Sequence, residues 1–490
     1  MNQDLRITDT GIDLFPNPSL VTARFFAPGR QEIRPGNTRA ARVLKRIHEL
    51  NEAAVSEALQ DIDSRFSNRH RDLHGIFNRH AEQVISQVDP SIQLTPEQRL
   101  FVGALFTREY SIQASAICNP SVVLHPIQDG SDEARFIMSL RYIGGEHFST
   151  IGFREGRVTS SGAVTMDEVG VFPQMGSQLP GTHHRSVFEA SLAFQDHHPD
   201  DISFVIGVLP EHFDDSTLNA HLGKISPEVA AQPQMSALIG KIRNLASRSY
   251  SVEFERDISI SDRVLWPATS AERHGMEDAR FVRLVDDNSE VTYYASYTAY
   301  TGENISQQLI ETKDFATFEI SPLAGSATTG KGLALFPRKI NGQYVAMSRS
   351  DQETNTIAYS DDLRCWKHHQ HVQSAVDPWE IIQLGNGGSP IETEAGWLLI
   401  THAVGAMRTY SLGAILLDID QPHRILARLT QPLLSPSNDR RDGYVPNVVY
   451  SCGAFAHNDR LVLPYGNADY SLSIATISIN QLIKTMQKTS

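Results

Sequence analysis

The sequence predicts a mainly β protein with helices near its amino terminus and one helical insertion. Between Thr38 and Val88, apolar residues recur about every three to five positions, which is the spacing of amphipathic helices. From Asn119 onward, short runs of β-forming residues alternate with turns of Gly, Asp, Asn and Pro. A further helical pattern interrupts these runs at about residues 215–250. We therefore expect a helical extension over residues 1–110 and a β domain over residues 111–490.

The composition narrows the class of protein. The 490 residues are 40% hydrophobic and 20% charged, as in a globular chain with an ample core. No apolar run approaches the roughly eighteen residues that span a bilayer, and Met1–Arg6 contains no apolar signal segment. We expect a cytoplasmic location without membrane association. The net charge of −14 argues against nucleic acid as a partner but permits a local basic pocket for a small anion.

The cysteine and histidine residues do not indicate a metal centre. Cys118, Cys365 and Cys452 are far apart and odd in number, which suits a reducing compartment and predicts small buried apolar side chains. The pairs His183-His184 and His197-His198 cannot converge easily on a strand, because neighbouring residues point to opposite faces. We predict no metal site.

The helical extension follows an irregular start. Prolines 16, 18, 28 and 35 interrupt any periodic pattern in roughly the first 35 residues. Helices are predicted within residues 38–88, one of them over Ile76–Val88. Another begins at Thr95-Pro96-Glu97-Gln98, which reads as a capping residue, a proline at the first helical position and an acid in the first turn. We expect this extension to serve packing or self-association into a homo-oligomer.

The β region has the strand and turn spacing of a sandwich, a barrel or a propeller. Arg135–Arg141, Tyr344–Ser348 and Gly396–Thr401 are examples of the predicted strands. No tight sequence repeat accompanies them, so periodicity does not choose among these architectures.

One stretch, residues 270–284, carries the chemistry. Gly275 breaks the backbone, and the strand that follows has Glu277 and Asp278 at its mouth. Strand alternation predicts Asp278 and Arg280 on one face, where the cation tunes the acid, with Glu277 and Ala279 on the other. The alternative is an ordinary ion pair at a solvated strand end. The tyrosine-rich strand over residues 293–300 is expected to wall the same area with flat, hydrogen-bonding rings that suit sugars.

The order of the polar corners in the β region resembles glycoside hydrolase family 130. The matching blocks, from about Asn119 to Asp469, are Glu277–Arg280, Lys331 with Leu335–Gly342, Arg349, Tyr359–Leu363 with Trp366, Gly387–Thr393, Gly396–Ile400, His402, Gly413–Asp418 and Gly443–Tyr450. This resemblance implies a five-bladed β-propeller with the active site in its central funnel. Members of the family act on β-mannosides, most by phosphorolysis with inversion and some by hydrolysis. The chain is most similar to the longer members, including those that act on β-1,2-oligomannosides.

The resemblance assigns the catalytic roles. Asp278 falls at the position of the general acid, which reaches the glycosidic oxygen through a hydroxyl of the bound mannose. The family's basic phosphate-binding residues correspond to Lys331, Arg349 and His402, and Tyr410, Gln383 and Arg408 are expected at or near the same site. Gln383 stands where a further lysine is expected, so it contributes no charge, although Arg408 could supply one. The alternatives are surface charges beside turns for Lys331 and Arg349, and a core histidine for His402.

The sugar contacts are carried over more loosely from the same resemblance. The expected substrate-binding residues are Asn119, Ser121, Arg141, Glu146, His147, Glu277, Arg280 and Asp469. Short acids and amides bond pairs of adjacent hydroxyls, which fits a mannosyl pocket. Ordinary turn chemistry is the alternative for the Asn and Asp residues.

The leading hypothesis is a phosphorylase that cleaves β-mannosides with inorganic phosphate and releases α-mannose 1-phosphate. Its partners are an oligosaccharide and phosphate, and no cofactor is expected. The first alternative is an inverting β-mannosidase on the same scaffold, which the uncharged Gln383 favours. The second is a non-catalytic sugar-binding propeller, against which the retained Asp278 speaks.

Overall fold

A computed structural model describes residues 5–28, 33–130, 132–195 and 197–489 of the chain. The chain divides into two compact units. The first contains Met1–Pro16, Ser115–Val169 and Met175–Ser490, and the second contains Asn17–Ala114 and Gly170–Gln174.

The helices and strands of the described residues follow in chain order. The helices are α1 (Arg39–His48), α2 (Glu52–Phe66), α3 (Leu73–Val88), α4 (Pro96–Leu105), α5 (Arg185–Phe194), α6 (Pro199–Ile206), α7 (Asp215–Leu222), α8 (Pro227–Ala230), α9 (Pro233–Ala246) and α10 (Ile479–Thr485). The strands are β1 (Ile7–Leu14), β2 (Val21–Phe25), β3 (Thr107–Ser111), β4 (Ala116–Leu124), β5 (Ala134–Ile143), β6 (Ser149–Val158), β7 (Val164–Met166), β8 (Gln174–Met175), β9 (Ser177–Pro180), β10 (His183–His184), β11 (His212–Phe213), β12 (Tyr250–Glu253), β13 (Arg263–Leu265), β14 (Gly275–Val285), β15 (Val291–Tyr300), β16 (Ile305–Thr312), β17 (Thr317–Pro322), β18 (Ala334–Leu335), β19 (Tyr344–Ser348), β20 (Asn355–Ser360), β21 (His368–Gln373), β22 (Gln383–Asn386), β23 (Ile391–Thr393), β24 (Gly396–Gly405), β25 (Thr409–Leu417), β26 (Ile425–Arg428), β27 (Val449–Tyr450), β28 (Phe455–His457), β29 (Arg460–Asn467), β30 (Ser471–Ser478) and β31 (Gln487–Lys488). None of these helices is long and apolar enough to cross a membrane.

The second unit contains helices α1–α4 and the antiparallel pair β2–β3. Its core is formed by apolar side chains that include Leu44, Val84, Val102 and Phe106. The predicted start of α4 is confirmed, since the Thr95 side chain accepts from the backbone of Gln98 and the Gln98 side chain accepts from the backbone of Thr95.

The first unit is built from sheets whose strands pair antiparallel except for one parallel contact between β6 and β14, which confirms the mainly β prediction. The largest sheet runs in the order β4-β5-β6-β14-β15-β16-β17-β12-β9, with β7, β8 and β13 attached beside it. Further sheets run in the orders β18-β19-β20-β21, β22-β24-β25-β26-β31 and β1-β30-β29-β27. The cysteines are free and buried in this unit, as predicted.

Two predicted boundaries are wrong. Residues 1–35 were expected to be irregular, but within the described part of this range Ile7–Leu14 forms β1, which pairs with β30 and extends a sheet of the β unit. Pro16 and Pro18 follow β1 and end it, rather than preventing it. The helical insertion is also larger than residues 215–250, because α5 begins at Arg185 and α9 ends at Ala246. Helices as short as α6–α8 leave too few turns for a clear apolar period.

Candidate active site

A bulge in strand β14 sets the positions of the two acids. The pairing with β15 shifts between Glu277, opposite Thr298, and Arg280, opposite Ser296, and Asp278 has a φ of 56°. Glu277 and Asp278 therefore both accept from the Arg141 guanidinium, at 2.6 and 3.3 Å. The predicted separation of these acids onto opposite faces is wrong, because a bulge breaks the alternation of an ideal strand.

A second bulge, in strand β4, brings an amide to Asp278. The pairing of β4 with β5 shifts between Cys118 and Ser121, and Asn119 has a φ of 51°. The Asn119 Nδ2 donates to Asp278 Oδ1. Ser121, which was predicted to bind sugar, is buried, and its Oγ accepts from the backbone N–H of Phe281 at 3.0 Å. Ser121 therefore anchors β14 against β4.

A polar cavity lies beside Asp278, and cationic side chains dominate its wall. We call it the cation cavity, and its lining residues are Asp278, Arg280, Lys331, Gly332, Arg349, Gly385, Asn386, His402 and Tyr450. Lys331 lies between Gly330 and Gly332, whose φ angles of 79° and 87° suit glycine. The Lys331 Nζ is 3.4 Å from Glu277 Oε2. The structure thus brings Asp278, Lys331, Arg349 and His402 together from separate sheets.

Arg280 is held by three partners around its guanidinium. Its Nε donates to Asn386 Oδ1 at 3.2 Å, Nη1 to the backbone carbonyl of Asp278 at 3.0 Å, and Nη2 to the Tyr450 hydroxyl at 2.8 Å. The predicted interaction with the Asp278 carboxylate is therefore electrostatic, because the hydrogen bond goes to the backbone. Asn386 also donates to the carbonyl of Gly332 at 2.6 Å, so it links Arg280 to the lysine loop.

His402 is neutral in this arrangement. Its Nδ1 is 2.9 Å from the carbonyl oxygen of Asn386, which can only accept, so Nδ1 carries the proton. Its Nε2 accepts from Arg349 Nη1 at 3.3 Å. Burial, together with the charges of Arg349 and Arg280, holds the pKa of His402 well below its usual 6.5. The expectation of a basic His402 is therefore wrong, and its contact indicates a residue that orients Arg349.

The other residues near the predicted phosphate site, Gln383, Arg408 and Tyr410, lie outside the cation cavity, and we call them the outer wall. Gln383 Nε2 donates to the Tyr410 hydroxyl at 3.4 Å, and the Arg408 guanidinium lies 5.3 Å from the centre of the Tyr410 ring. The Tyr410 and His402 rings are nearly parallel, at an interplanar angle of 16°. Tyr410 thus lies beside His402 and contacts Gln383 and Arg408, but the described wall of the cation cavity includes none of these three residues.

The charges around Asp278 favour its ionised form. Burial by itself would raise the pKa of this carboxyl group. The nearby charges of Arg141, Lys331 and Arg280, with the hydrogen bond from Asn119, outweigh burial and lower the pKa below 3.8. In the free protein Asp278 is therefore an anion at neutral pH.

Asp469 has the opposite balance. Burial raises the pKa of this carboxyl group to about 6; Asp278 and Glu277 act in the same direction, and Arg141 and Arg408 oppose them. Its hairpin is left-handed at Ala468 and Asp469, with φ angles of 50° and 48°. The site therefore contains a second carboxyl group whose charge interacts with that of Asp278. Its pKa is raised, whereas that of Asp278 is lowered.

The remaining predicted sugar ligands lie at an exposed hairpin tip. Glu146 and His147 have φ angles of 58° and 59°, and both are exposed. The His147 Nδ1 is 3.0 Å from the hydroxyl of Tyr444, a residue that sequence reasoning missed. The role of Glu146 and His147 as sugar ligands stays a prediction.

Some expectations about the surroundings fail. The tyrosines of β15 do not wall the site: Tyr293 and Tyr297 are buried in the apolar core, with the Tyr297 hydroxyl bound to Glu272. Asn386 and Tyr450 were missed as site residues, although Tyr450 lies in a block that carried the family resemblance and Asn386 directly precedes another. No group of three or more His, Cys, Asp or Glu among the residues described could hold a metal ion, and the absence of a metal stays a prediction.

A buried acid beside a cavity lined by three cationic side chains is an arrangement typical of an enzyme site. The chain belongs to glycoside hydrolase family 130. The sequence profile of this family, described as beta-1,4-mannooligosaccharide phosphorylase, matches residues 242–488.

Two relatives in sequence agree with this assignment, and one solved structure is given for comparison. The chain is 34% identical over 220 residues to a 1,2-beta-oligomannan phosphorylase of Thermoanaerobacter sp. (strain X514), covering 44% of this chain and 72% of the relative. It is 33% identical over 233 residues to a beta-1,2-mannobiose phosphorylase of Listeria innocua, covering 46% of this chain and 63% of the relative. A solved structure of beta-1,2-mannobiose phosphorylase from Listeria innocua, in complex with beta-1,2-mannobiose, aligns with a TM-score of 0.45 at 21% identity, covering 77% of this chain and 93% of that one.

Proposed function

We propose that the protein is an inverting phosphorylase of β-mannosides, with β-1,2-oligomannosides as substrates and inorganic phosphate as co-substrate. The observation that carries this proposal is the cation cavity, where Asp278 lies beside Arg280, Lys331 and Arg349. The relatives named as phosphorylases of 1,2-linked oligomannan and mannobiose support the choice of linkage. No other cofactor takes part.

The reaction is a displacement at the anomeric carbon of the terminal mannosyl unit. A phosphate oxygen attacks from the face opposite the leaving sugar, and the electron pair of the broken C–O bond passes to the leaving oxygen. A hydroxyl of the mannosyl unit gives its proton to that oxygen and receives one from Asp278. The products are α-mannose 1-phosphate and an oligosaccharide shortened by one unit, and Asp278 is left ionised.

Phosphate binding provides the condition under which Asp278 can act as an acid. In the free protein the cations keep the pKa of Asp278 low. A phosphate anion among Lys331, Arg280 and Arg349 offsets their positive charge and adds a negative neighbour, and both changes raise the pKa of Asp278. The protonated acid therefore forms in the phosphate complex, where it is needed.

The wall of the cation cavity also bears on the competing hydrolase. An inverting hydrolase needs a second carboxylate that activates water on the attacking side. Among the described residues that line the cavity, Asp278 is the sole carboxylate, and the rest of the charge is positive. Gln383 lies in the outer wall, so its lack of charge does not remove a cation from the cavity. These features favour phosphate over water as the nucleophile.

We further propose that the β unit is a five-bladed propeller with this site in its funnel. Two hairpin tips support a repeated blade. In Gly144–Phe148, residues Glu146 and His147 are left-handed, and in Gly405–Thr409 the corresponding Met407 and Arg408 are left-handed, with φ angles of 56° and 54°. In both tips the last residue donates to the carbonyl of the second, so the backbone repeats where the sequence does not.

The wider setting completes the proposal. The enzyme works in the cytoplasm and contacts neither membrane nor nucleic acid. Helices α1–α4 provide a surface through which it self-associates into a homo-oligomer.

Incubation with β-1,2-mannotriose, with and without inorganic phosphate, tests the proposed reaction. Mannose 1-phosphate that forms only with phosphate is the expected result, and the Asp278→Asn variant serves as the inactive control. Equal release of free mannose in both reactions would identify water as the nucleophile and reject phosphorolysis. No product from any β-mannoside would reject the proposed activity while leaving the family assignment intact.

A further inference from the structure

A larger cleft lies elsewhere in the β unit, and the proposed reaction does not use it. Its volume is about 520 Å³, within the roughly 300–1,000 Å³ range of small-molecule sites. The helices α5 and α9 of the insertion form one wall, and β16 with residues 323–330 forms the other. We call it the insertion cleft.

One face of α9 and the turn after it provides the polar wall of this cleft. Ala237, Lys241, Asn244 and Arg248 recur at three- or four-residue spacing and all line it. Gly240 also lines it, and a Cβ at Gly240 would have nothing within 4 Å. The cleft is therefore open above the middle of α9.

The charge of the described lining of the insertion cleft is positive. No Asp or Glu belongs to its described lining, and neither Lys241 nor Arg248 makes an ion pair with any residue that the structure describes. Arg248 Nη2 donates to Asn244 Oδ1 at 2.7 Å, while its Nε is buried without an acceptor. The charge of Glu272 acts on Arg248, but the two form no ion pair. The Glu272 carboxylate instead accepts hydrogen bonds from the Tyr250 hydroxyl and the backbone N–H of Thr269. In a chain of net charge −14, such a cleft attracts anions.

The rest of the lining suits a sugar. Gln195, Asn244, Asn304 and Ser306 offer amide and hydroxyl groups, and Leu192 and Ile305 offer apolar surface. A phosphorylated sugar combines an anionic group for Lys241 and Arg248 with hydroxyls for the amides. A neutral oligosaccharide would leave the two cations without a counter-charge.

We propose that the insertion cleft is a second binding site, specific for a phosphorylated hexose. It is separate from the cation cavity but shares a loop with it: Thr328–Gly330 line the cleft, and Lys331 and Gly332 line the cavity. The Gln307 side chain donates to the Thr328 carbonyl at 3.1 Å and accepts from the Leu333 N–H at 2.9 Å. Gln307 thus clamps both ends of the loop and also lines the cleft.

Calorimetric titration with α-mannose 1-phosphate, in the absence of any oligosaccharide, tests this site without turnover. In the Arg349→Ala variant, binding of the ligand in the cation cavity is weakened. The tight binding equivalent that remains in this variant therefore reports the insertion cleft. Adding Lys241→Ala and Arg248→Ala should weaken that equivalent at least tenfold, because each substitution removes a charged hydrogen-bond donor to the phosphate group. Arg243→Ala, which removes a charge from the exposed face of α9 outside the lining, is the matched control and should leave it unchanged.

A plugged cleft gives a second, independent readout. Gly240→Leu places a side chain in open space and favours the helix, so the variant should fold and lose the second equivalent. Retention of that equivalent in Gly240→Leu or in the Lys241 and Arg248 variants would overturn the proposal. Binding of mannose or β-1,2-mannobiose as tightly as α-mannose 1-phosphate would also overturn it and would identify a neutral-sugar cleft. Because no turnover is measured, these results stand apart from the test of phosphorolysis.

Discussion

The cation cavity and the insertion cleft lie on either side of one loop, and both are positive in an acidic protein. In the cavity, the cations have fixed partners: Arg280 is bound at three nitrogens, and Arg349 contacts His402. In the cleft, Lys241 and Arg248 have no carboxylate partner among the residues described. The difference follows from the chemistry. A site that transfers a proton must hold an acid against its cations, whereas a site that only binds an anion needs no acid.

The backbone conformations around the cation cavity and the insertion cleft also differ. Asn119, Asp278 and Asp469 have left-handed backbones, each at a cost of about 1–2 kcal/mol for a residue other than glycine. The wall of the cleft is a regular helix, α9, with a glycine at the open position. Strained positions at the acid hold side chains in directions that regular strands do not permit, and a binding cleft needs no such directions.

The largest effect is expected at the acid. Asp278→Asn keeps the shape of the side chain but cannot donate a proton, so kcat should fall by roughly 10²–10⁴-fold. The affinity for an oligomannoside measured by titration should stay near that of the natural protein, because the amide keeps its hydrogen bonds. Full activity in this variant would remove Asp278 from the mechanism.

The second-largest effect, on the KM for phosphate, distinguishes the residues of the cation cavity from those of the outer wall. Arg349→Ala should raise the KM for phosphate by roughly 10–100-fold, since a charged hydrogen bond contributes about 1.5–3 kcal/mol. Arg408→Ala is the matched control: its guanidinium lies on the Tyr410 ring outside the cavity, and its effect should be several-fold at most. Steady-state kinetics with phosphate as the varied substrate checks both. An equal rise in the two variants would contradict the cavity as the phosphate site.

A smaller effect concerns Asp469 and pH. The pKa of this group is about 6 in the folded protein against its ordinary value of 3.8, so the folded state binds its proton more tightly. Its stabilising contribution is therefore present below about pH 4 and is lost as pH rises through 6. Denaturant unfolding should show Asp469→Asn gaining on the order of 1–2 kcal/mol relative to the natural protein between pH 4 and 8, discounted for partial exposure. A constant difference across this range would contradict the raised pKa.

The smallest effect is expected in the cleft wall. Gly240→Ala should raise the free energy of unfolding by about 0.5–1 kcal/mol, because glycine inside a helix costs about that much relative to alanine. A thermal melt measures the change. By contrast, Gly332→Ala in the cavity loop should lower the melting temperature, since its φ of 87° disfavours a side chain. Equal effects at the two glycines would contradict the contrast between helix wall and strained loop.

Local patterns predicted a large part of this molecule. The alternation of strands and turns is a short-range property, so it indicated the mainly β unit and strands such as Tyr344–Ser348. The cap at Thr95 depends on neighbours three residues away and was confirmed for the same reason. The order of short polar blocks pointed to Asp278, Lys331 and Arg349, which the structure brings to one cavity. Their roles stay predictions until the kinetics above are measured.

The errors have a common physical origin. The pairing of β1 with β30 joins residues more than four hundred positions apart, and no local pattern reports such a partner. The bulges at Asn119 and Asp278 depend on how neighbouring strands register, so the ideal alternation failed there. His402 was taken as a basic residue because its type permits a charge. Its burial, and its contact with Arg349, decided otherwise.

By itself, the sequence determined the class of fold and the family, and it selected the residues proposed as the acid and its cations, because these follow from residue type and short-range order. Only the tertiary structure decided which way each of those side chains points and whether it carries a charge. Direction and protonation are set by atoms that distant strands bring within a few ångströms, such as Arg141 beside Asp278 and Asn386 beside His402. Such contacts exist only after the sheets have packed.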